Sequence, residues 1–156
     1  MWITFCSFAG RVMSKKSYKT AVLFQGVTMD FRKVYAESRY VQDTVRRMQD
    51  IWQGKGTTNL DVVQICTEQN YQPEERTRFE QPAIFAVSIA KFWEIKLKNH
   101  PNLNMFLGHS FGEYTALCAS GCIKPEDGFR IAQVRGQLSY EVNGEHPGIM
   151  AAISGP

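Results

Sequence analysis

The 156-residue sequence has no long apolar run and little excess of charge of either sign. No run approaches the roughly 18 apolar residues that a membrane-spanning helix needs, so the sequence does not predict an integral membrane protein. The net charge is +3, from 18 Lys and Arg against 15 Asp and Glu, and the basic residues form no stripe interleaved with aromatics. We therefore expect neither a membrane nor a nucleic acid as a partner.

Metal ligands and disulfide patterns are also scarce. The sequence has four cysteines and three histidines, namely Cys6, Cys66, Cys118, Cys122, His100, His109 and His146. Their spacing contains neither a CxxC pair nor an HxxxH pair, so we expect reduced thiols and no bound metal. This usage predicts a cytoplasmic protein, with an organelle as the alternative location.

The first 19 residues, MWITFCSFAGRVMSKKSYK, differ from the rest of the chain. No basic residue precedes their apolar part, which argues against a secretory signal, but four basic residues without an acid are typical of organelle transit peptides. We interpret residues 1–19 as a leader that is disordered, and residues 20–156 as part of one domain.

Strand-like and helix-like segments alternate from residue 20 onward. Thr20–Phe24 (TAVLF) and Leu103–Gly108 (LNMFLG) resemble buried strands, and Gly148–Ile153 (GIMAAI) resembles a third. Such alternation predicts an α/β fold, with a parallel sheet flanked by helices.

Two regions before the second strand have helical spacing. Apolar residues recur with a helical period from Phe31 to Trp52, whereas residues 60–80 are ambiguous and YQPEERTRFE resembles a polar connection. Pro82 suits the first position of a helix that should end before Pro101. One face of this helix would carry Ala83, Ala86, Val87, Ala90, Trp93 and Leu97.

Two further helices are predicted after the second strand. The first covers Glu113–Ser120, and the second begins at Pro125 with acidic residues in its first turn, where the helix dipole favours them. The apolar side of the second helix carries Ile131, Val134 and Leu138.

The five residues Gly108-His109-Ser110-Phe111-Gly112 match the pattern G-x-S-x-G. Between a strand and a helix, this spacing is typical of a sharp nucleophile elbow that exposes the serine hydroxyl. Glycines let the neighbouring backbone pass closely, and backbone N–H groups at the start of the helix point toward an oxyanion. The alternative is a glycine-bounded turn with a solvated serine.

Arg135 lies near Ile131 and Leu138 on the apolar side of its helix, which is an unusual position for a permanent cation. A guanidinium there needs an anion, and its planar fork matches a carboxylate through two hydrogen bonds. The alternatives are an arginine that extends to water and one that pairs with a structural acid.

The segments GHSFGEYTALCASG, GFRIAQVRGQLSY and GIMAAISG occur in this order. Together they resemble malonyl-CoA:acyl carrier protein transacylases and the acyltransferase domains of fatty acid and polyketide synthases. QPAIFAVSIAKFW is similar to the helix that precedes the serine strand in that family. The resemblance covers residues 20–156 and implies the N-terminal part of a hydrolase-like core, apparently truncated.

The resemblance also implies a reaction. Ser110 would attack the thioester of malonyl-CoA and pass the malonyl group to the phosphopantetheine thiol of an acyl carrier protein, with no bound cofactor. Phe111 would supply one oxyanion-hole N–H, and Gln25 would match the glutamine whose backbone supplies the other. Arg135 would bind the free carboxylate of the malonyl group.

Two departures from the family pattern keep other interpretations open. Of the family's F-P-G-Q-G near its start, only Gln25 and Gly26 match in place, and no histidine here matches the family's catalytic base. We therefore expect the isolated chain to be weakly active or inactive. The alternatives are a serine hydrolase of the lipase or patatin kind, and an inactive fragment that only binds a carrier protein or a synthase partner.

Overall fold

The computed structural model describes residues 6–8, 19–56, 58–98 and 103–148. Within these ranges the chain forms a small sheet, six α-helices and one 3₁₀ turn, so it is a mostly helical α/β structure. The elements are β1 (Cys6–Phe8), β2 (Lys19–Phe24), α1 (Phe31–Glu37), α2 (Arg39–Gly54), α3 (Val62–Thr67), a 3₁₀ turn (Pro73–Glu75), α4 (Arg76–Leu97), β3 (Leu103–Gly108), α5 (Gly112–Ala119) and α6 (Pro125–Glu145).

The described strands are ordered β1-β2-β3. β2 and β3 run parallel, with Phe24 opposite Gly108, which confirms the predicted parallel pair. β1 pairs with β2 in the antiparallel direction and was not predicted. It falls within the proposed leader, whose remaining residues are mostly outside the described ranges. Residues 149–153 of the predicted third strand also lie outside these ranges.

Side-chain caps explain where the first three helices begin. Asp30 accepts a hydrogen bond from the N–H of Lys33, Ser38 from that of Val41, and Asp61 from that of Gln64. Each cap satisfies an N–H group that the first helical turn leaves unpaired. α1 and α2 confirm the helical period predicted from Phe31 to Trp52.

α4 is the central helix, and two predictions about it are wrong. It begins at Arg76 rather than at Pro82, so part of the predicted polar connection is helical. It also has more than one buried face, because every residue from Glu80 to Ala90 is buried. α1, α2, α3, α5 and α6 all pack against it, and this surround explains its burial.

Pro82 lies inside α4, on the turn that follows the contact with α6. Proline has no N–H, so the carbonyl of Arg78, four residues earlier, loses its helical donor. Gly136 of α6 lies beside this carbonyl: a Cβ on Gly136 would be 2.9 Å from the Thr77 oxygen and 3.0 Å from the Arg78 oxygen. The absence of a side chain at Gly136 therefore permits the close approach of α4 and α6.

Aromatic contacts join the helices to each other and to the sheet. Trp52 of α2 stacks on Phe129 of α6 with ring centroids 4.0 Å apart. Phe92 of α4 makes edge contacts with Phe24 of β2 and Phe106 of β3. Burial of such rings is worth about 2 to 3 kcal/mol each, which makes this cluster a major stabilising contact.

α5 and α6 begin at or beside their predicted positions, but the apolar side of α6 is not buried. Ile131, Val134 and Leu138 are 38%, 59% and 54% exposed, whereas Phe129 and Ala132 face the core. The prediction of an apolar side did not distinguish the face that α4 covers from the one it leaves open. None of the described helices combines the length and the apolar character that crossing a membrane requires.

Candidate active site

A tight turn, residues 108–112, joins the end of β3 to the start of α5, and we call it the serine turn. Ser110 has φ of 53°, the one positive φ at a non-glycine residue among the described residues. The N–H of His109 donates to the Phe24 carbonyl at 2.9 Å, which ties the turn to the end of β2. Ser110 is exposed, in the position predicted for an accessible hydroxyl.

Both glycines of the serine turn are required by close backbone contacts. A Cβ on Gly108 would lie 2.2 Å from the Glu113 nitrogen, and one on Gly112 would lie 2.2 Å from the Phe24 oxygen. The neighbours are main-chain atoms, which cannot rotate away as a side chain can. The G-x-S-x-G spacing therefore allows β2, β3 and α5 to meet at one point.

The loop after β2 lies directly against the serine turn. A Cβ on Gly26 would be 2.8 Å from the His109 oxygen and 3.2 Å from the Phe111 nitrogen, and a Cβ on Gly112 would be 2.9 Å from the Gln25 oxygen. Within the described ranges, the N–H of Phe111 donates no backbone hydrogen bond. The structure thus brings Gln25 and Phe111, the two predicted oxyanion-hole residues, to the same place as Ser110.

Arg135 reaches the serine turn from α6. Its Nη1 donates to Oε1 of Gln81 at 2.7 Å, and its guanidinium carbon lies 5.5 Å from the centre of the Phe111 ring. Both partners are neutral, and among the described side chains Arg135 forms no ion pair. The alternative of a pairing with a structural acid is therefore not seen among the described side chains, and the positive charge remains uncompensated there.

An open cavity of about 620 Å³ connects these groups. Its lining includes Ser110, Gln81 and Arg135, together with Arg76 and Glu80. The cavity therefore combines an exposed hydroxyl with a cation. Such a combination suits a ligand that carries both an electrophilic carbon and an anionic group.

Glu80, on the same cavity, has a fully compensated charge. Its carboxylate accepts hydrogen bonds from Arg32 at 3.1 Å, from Arg76 at 2.8 Å and from the Tyr71 hydroxyl at 2.8 Å. Arg32 also donates to the Tyr71 oxygen. Burial alone would raise the pKa of Glu80, but these hydrogen bonds outweigh it and hold the pKa below its usual value. We call these four residues the Glu80 cluster.

No described side chain acts as an evident base for Ser110. The imidazoles of His109 and His146 make no hydrogen bond to its hydroxyl among the described residues, and His100 lies outside them. Burial raises the pKa of Cys66 to about 12 and that of Cys118 to about 11, so both thiols stay protonated. The described His, Cys, Asp and Glu residues form no group of three that could hold a metal ion.

The sequence interpretation missed Gln81. This side chain is 1% exposed, although it is polar and precedes a run of apolar residues. A glutamine beside Pro82 at the start of the buried segment was the available signal, because a buried amide requires hydrogen-bond partners. Which partner it finds could not be read from the sequence, since Arg135 lies 54 residues later.

Comparison with known proteins identifies a family and several relatives. The family model described as the acyl transferase domain matches residues 10–155. The chain is 33% identical over 100 residues to a malonyl CoA-acyl carrier protein transacylase of Bacillus subtilis, covering 62% of the chain and 24% of that protein. It is 39% identical over 77 residues to the protein of the same name in Escherichia coli, covering 48% of the chain and 24% of that protein.

A solved structure supports the fold. The acyl transferase domain of ZmaA superposes with a TM-score of 0.59 at 23% identity, covering 80% of this chain and 32% of that one. The chain thus spans about a quarter to a third of the length of these proteins.

Proposed function

The chain belongs to the acyl transferase domain family, and from this membership we propose that its site transfers a malonyl group through Ser110. The Ser110 oxygen would attack the thioester carbonyl of malonyl-CoA, forming a C–O bond as the C–S bond breaks, and the CoA sulfur would leave and take a proton. The phosphopantetheine thiol of an acyl carrier protein would then attack the malonyl ester, restoring the serine hydroxyl.

The uncompensated charge of Arg135 is the observation that carries this proposal. Arg135 lines the same cavity as Ser110, and its described hydrogen bond goes to a neutral amide. A guanidinium favours a carboxylate over a neutral group because it can donate two charge-assisted hydrogen bonds to it. The free carboxylate of a malonyl group would supply this partner, whereas the simple ester of a lipase substrate would not.

The oxyanion would be bound beside the serine turn. The N–H of Phe111 is the first donor, and the loop at Gln25 supplies the second, in agreement with their positions against Ser110. Preorganised donors of this kind commonly contribute about 3 to 4 kcal/mol to stabilising the transition state. The positive end of α5 would add to the effect.

The base that accepts the Ser110 proton is not assigned to a described residue. A serine hydroxyl without a base is a weak nucleophile, so we infer that acylation at the described site alone is slow. Added imidazole should accelerate it, because a small base can enter the open cavity and accept the proton.

Malonyl-CoA labelling tests the proposal. The chain is incubated with malonyl-CoA, with and without imidazole, and the peptide that contains Ser110 is examined by mass spectrometry. We expect one malonyl group on Ser110, at a rate that rises with imidazole. Ser110→Ala should carry no label at this peptide.

Two results would argue against malonyl transfer by this site. One is equal labelling of the parent and Ser110→Ala, which would indicate nonspecific acylation. The other is a lack of label on the parent at every imidazole concentration, while the far-ultraviolet circular dichroism shows that it is folded.

A further inference from the structure

Gln81 is a buried amide that holds Arg135 without cancelling its charge. Its side chain is 1% exposed, and its Oε1 accepts the hydrogen bond from Arg135. The orientation of the amide is determined by chemistry: a guanidinium has donors only, so the oxygen must face it. A neutral acceptor fixes the position of the cation and leaves its full charge for a ligand.

The adjacent residue shows what an acid does at the same end of α4. Glu80 accepts hydrogen bonds from two arginines, and the resulting ion pairs satisfy its charge within the protein. An acid at position 81 would do the same to Arg135. The carboxylate of Glu80 thus compensates the charge of its arginine partners, whereas the amide of Gln81 leaves the charge of Arg135 available to a ligand.

The position of α6 supports this role for Gln81. Gly136 follows Arg135 and brings α6 close to the carbonyls of Thr77 and Arg78, one turn before Gln81. Ser139 donates to the Arg135 carbonyl at 2.8 Å, and the Phe111 ring lies on one side of the guanidinium. The Arg135 side chain is therefore located by α4, α6 and the serine turn together.

We propose that Gln81 is a positioning residue that determines selectivity for acyl groups with a free carboxylate, by orienting Arg135 and leaving its charge uncompensated. This inference rests on the proposed malonyl transfer at Ser110. It predicts that a carboxylate at position 81 preserves the hydrogen bond but removes the selectivity. If Gln81 had only a structural role, Gln81→Glu would keep the selectivity for malonyl, because an ion pair would hold Arg135 at least as firmly as the present hydrogen bond does.

The test is a competition on Ser110. The folded chain is labelled with equal concentrations of malonyl-CoA and acetyl-CoA in the presence of imidazole, and the ratio of malonyl to acetyl on the Ser110 peptide is measured. Because both acyl groups react with the help of the same base, the ratio of malonyl to acetyl does not depend on the overall rate of acylation. We expect the parent to favour malonyl and Gln81→Glu to lower the ratio roughly tenfold or more, the worth of one charge-assisted hydrogen bond.

Gln49→Glu is the matched control. Gln49 is a buried glutamine of α2 whose Oε1 accepts from the Val63 N–H, and it does not line the cavity. Its replacement introduces the same buried charge elsewhere, so the ratio should stay at the parent value. In an Arg135→Met background, Gln81→Glu should change the ratio less than about twofold, because the two residues act as one unit.

The outcomes separate the two proposals. A parent without Ser110 label or without malonyl preference would overturn the proposed function, and with it this inference. A parent that prefers malonyl, together with a folded Gln81→Glu that keeps the same preference, would overturn the role of Gln81 alone. If Gln81→Glu does not fold, Gln81→Met decides: a ratio equal to that of the parent overturns the role, and a reduced ratio supports it.

Discussion

Glu80 and Gln81 are neighbours in α4, and both bind arginine side chains, one through ion pairs and the other through a neutral hydrogen bond. Glu80 is buried and binds Arg32 and Arg76 as ion pairs, whereas Gln81 binds Arg135 through a neutral amide. Both line the same cavity. A compensated charge stabilises the fold, while an uncompensated charge beside a cavity is available to a ligand. The contrast suggests that variants of the Glu80 cluster affect mainly folding, and variants of Arg135 mainly selectivity.

Glu80→Ala should produce the largest loss of stability. It leaves Arg32, whose Nε already has no hydrogen-bond partner among the described residues, without its acid. We expect the free energy of unfolding to fall by roughly 2 to 3 kcal/mol, less than for a fully buried pair because the Arg76 side chain is largely exposed. Urea unfolding measures the change, and the exposed Glu74→Ala should lie within about 0.5 kcal/mol of the parent.

Gly136→Ala should displace α6, which carries Arg135, from α4, which carries Glu80 and Gln81. The added methyl group would contact the Thr77 and Arg78 carbonyls, so we expect a loss of roughly 1 to 2 kcal/mol. Gly144→Ala in the same helix has open space around it and should stabilise by about 0.5 kcal/mol, because alanine loses less backbone entropy than glycine. Equal unfolding midpoints in urea for the two variants would contradict the close packing of α4 and α6.

Acid removes the charge of Glu80, which allows the contribution of the Glu80 cluster to be tested by pH. The folded-state pKa of Glu80 lies below its usual 4.5, so the stability it contributes is present above 4.5 and is lost as the pH falls through the folded pKa. Urea unfolding of Glu80→Gln should therefore depend less on pH below 4.5 than that of the parent. A parallel pH dependence of the two proteins would assign acid sensitivity to other groups.

Glu94 is one such group. Burial disfavours its charge, but hydrogen bonds from Lys91 and Lys98 outweigh burial and lower its pKa to about 2. The stability that Glu94 contributes is consequently lost as the pH falls from about 4.5 to about 2. Glu94→Gln therefore provides the reference for acid effects remote from the cavity.

Arg135→Met should have the smallest effect on stability. Methionine can fill part of the space of the arginine stem, but it leaves Oε1 of Gln81 without its donor. Because Gln81 lines the open cavity, water can replace this donor, so we expect a loss of about 1 kcal/mol, the lower end of the cost of an unpaired buried acceptor. A loss as large as that of Glu80→Ala in the same urea titration would show that Arg135 is a structural cation.

Local sequence signals predicted the parts of the fold that surround Ser110. β3 has its predicted bounds, and β2, α5 and α6 begin within one residue of theirs, because glycine, proline and the change of period mark these boundaries. α4 was less predictable. Pro82 has the signature of a first helical position, but packing on every side keeps it inside a longer helix.

Long-range contacts explain what could not be predicted. The spacing of Ile131, Val134 and Leu138 shows that they share a side of α6, but only the position of α4 determines which side is covered. Similarly, Arg135 was identified as a cation in need of a partner, and its neutral partner came from a helix that the sequence does not connect to it. The roles of Ser110, Gln25, Phe111 and Arg135 remain predictions that the experiments above test.

The positive φ of Ser110 has a consequence for how the sequence can evolve. A serine in this backbone region costs about 1 kcal/mol or more relative to glycine, and its exposed side chain gains little packing in return. Selection for stability alone would therefore drift position 110 toward glycine or asparagine. If acyl transfer is the selected property, this serine should persist in descendants even while the apolar residues around it are exchanged.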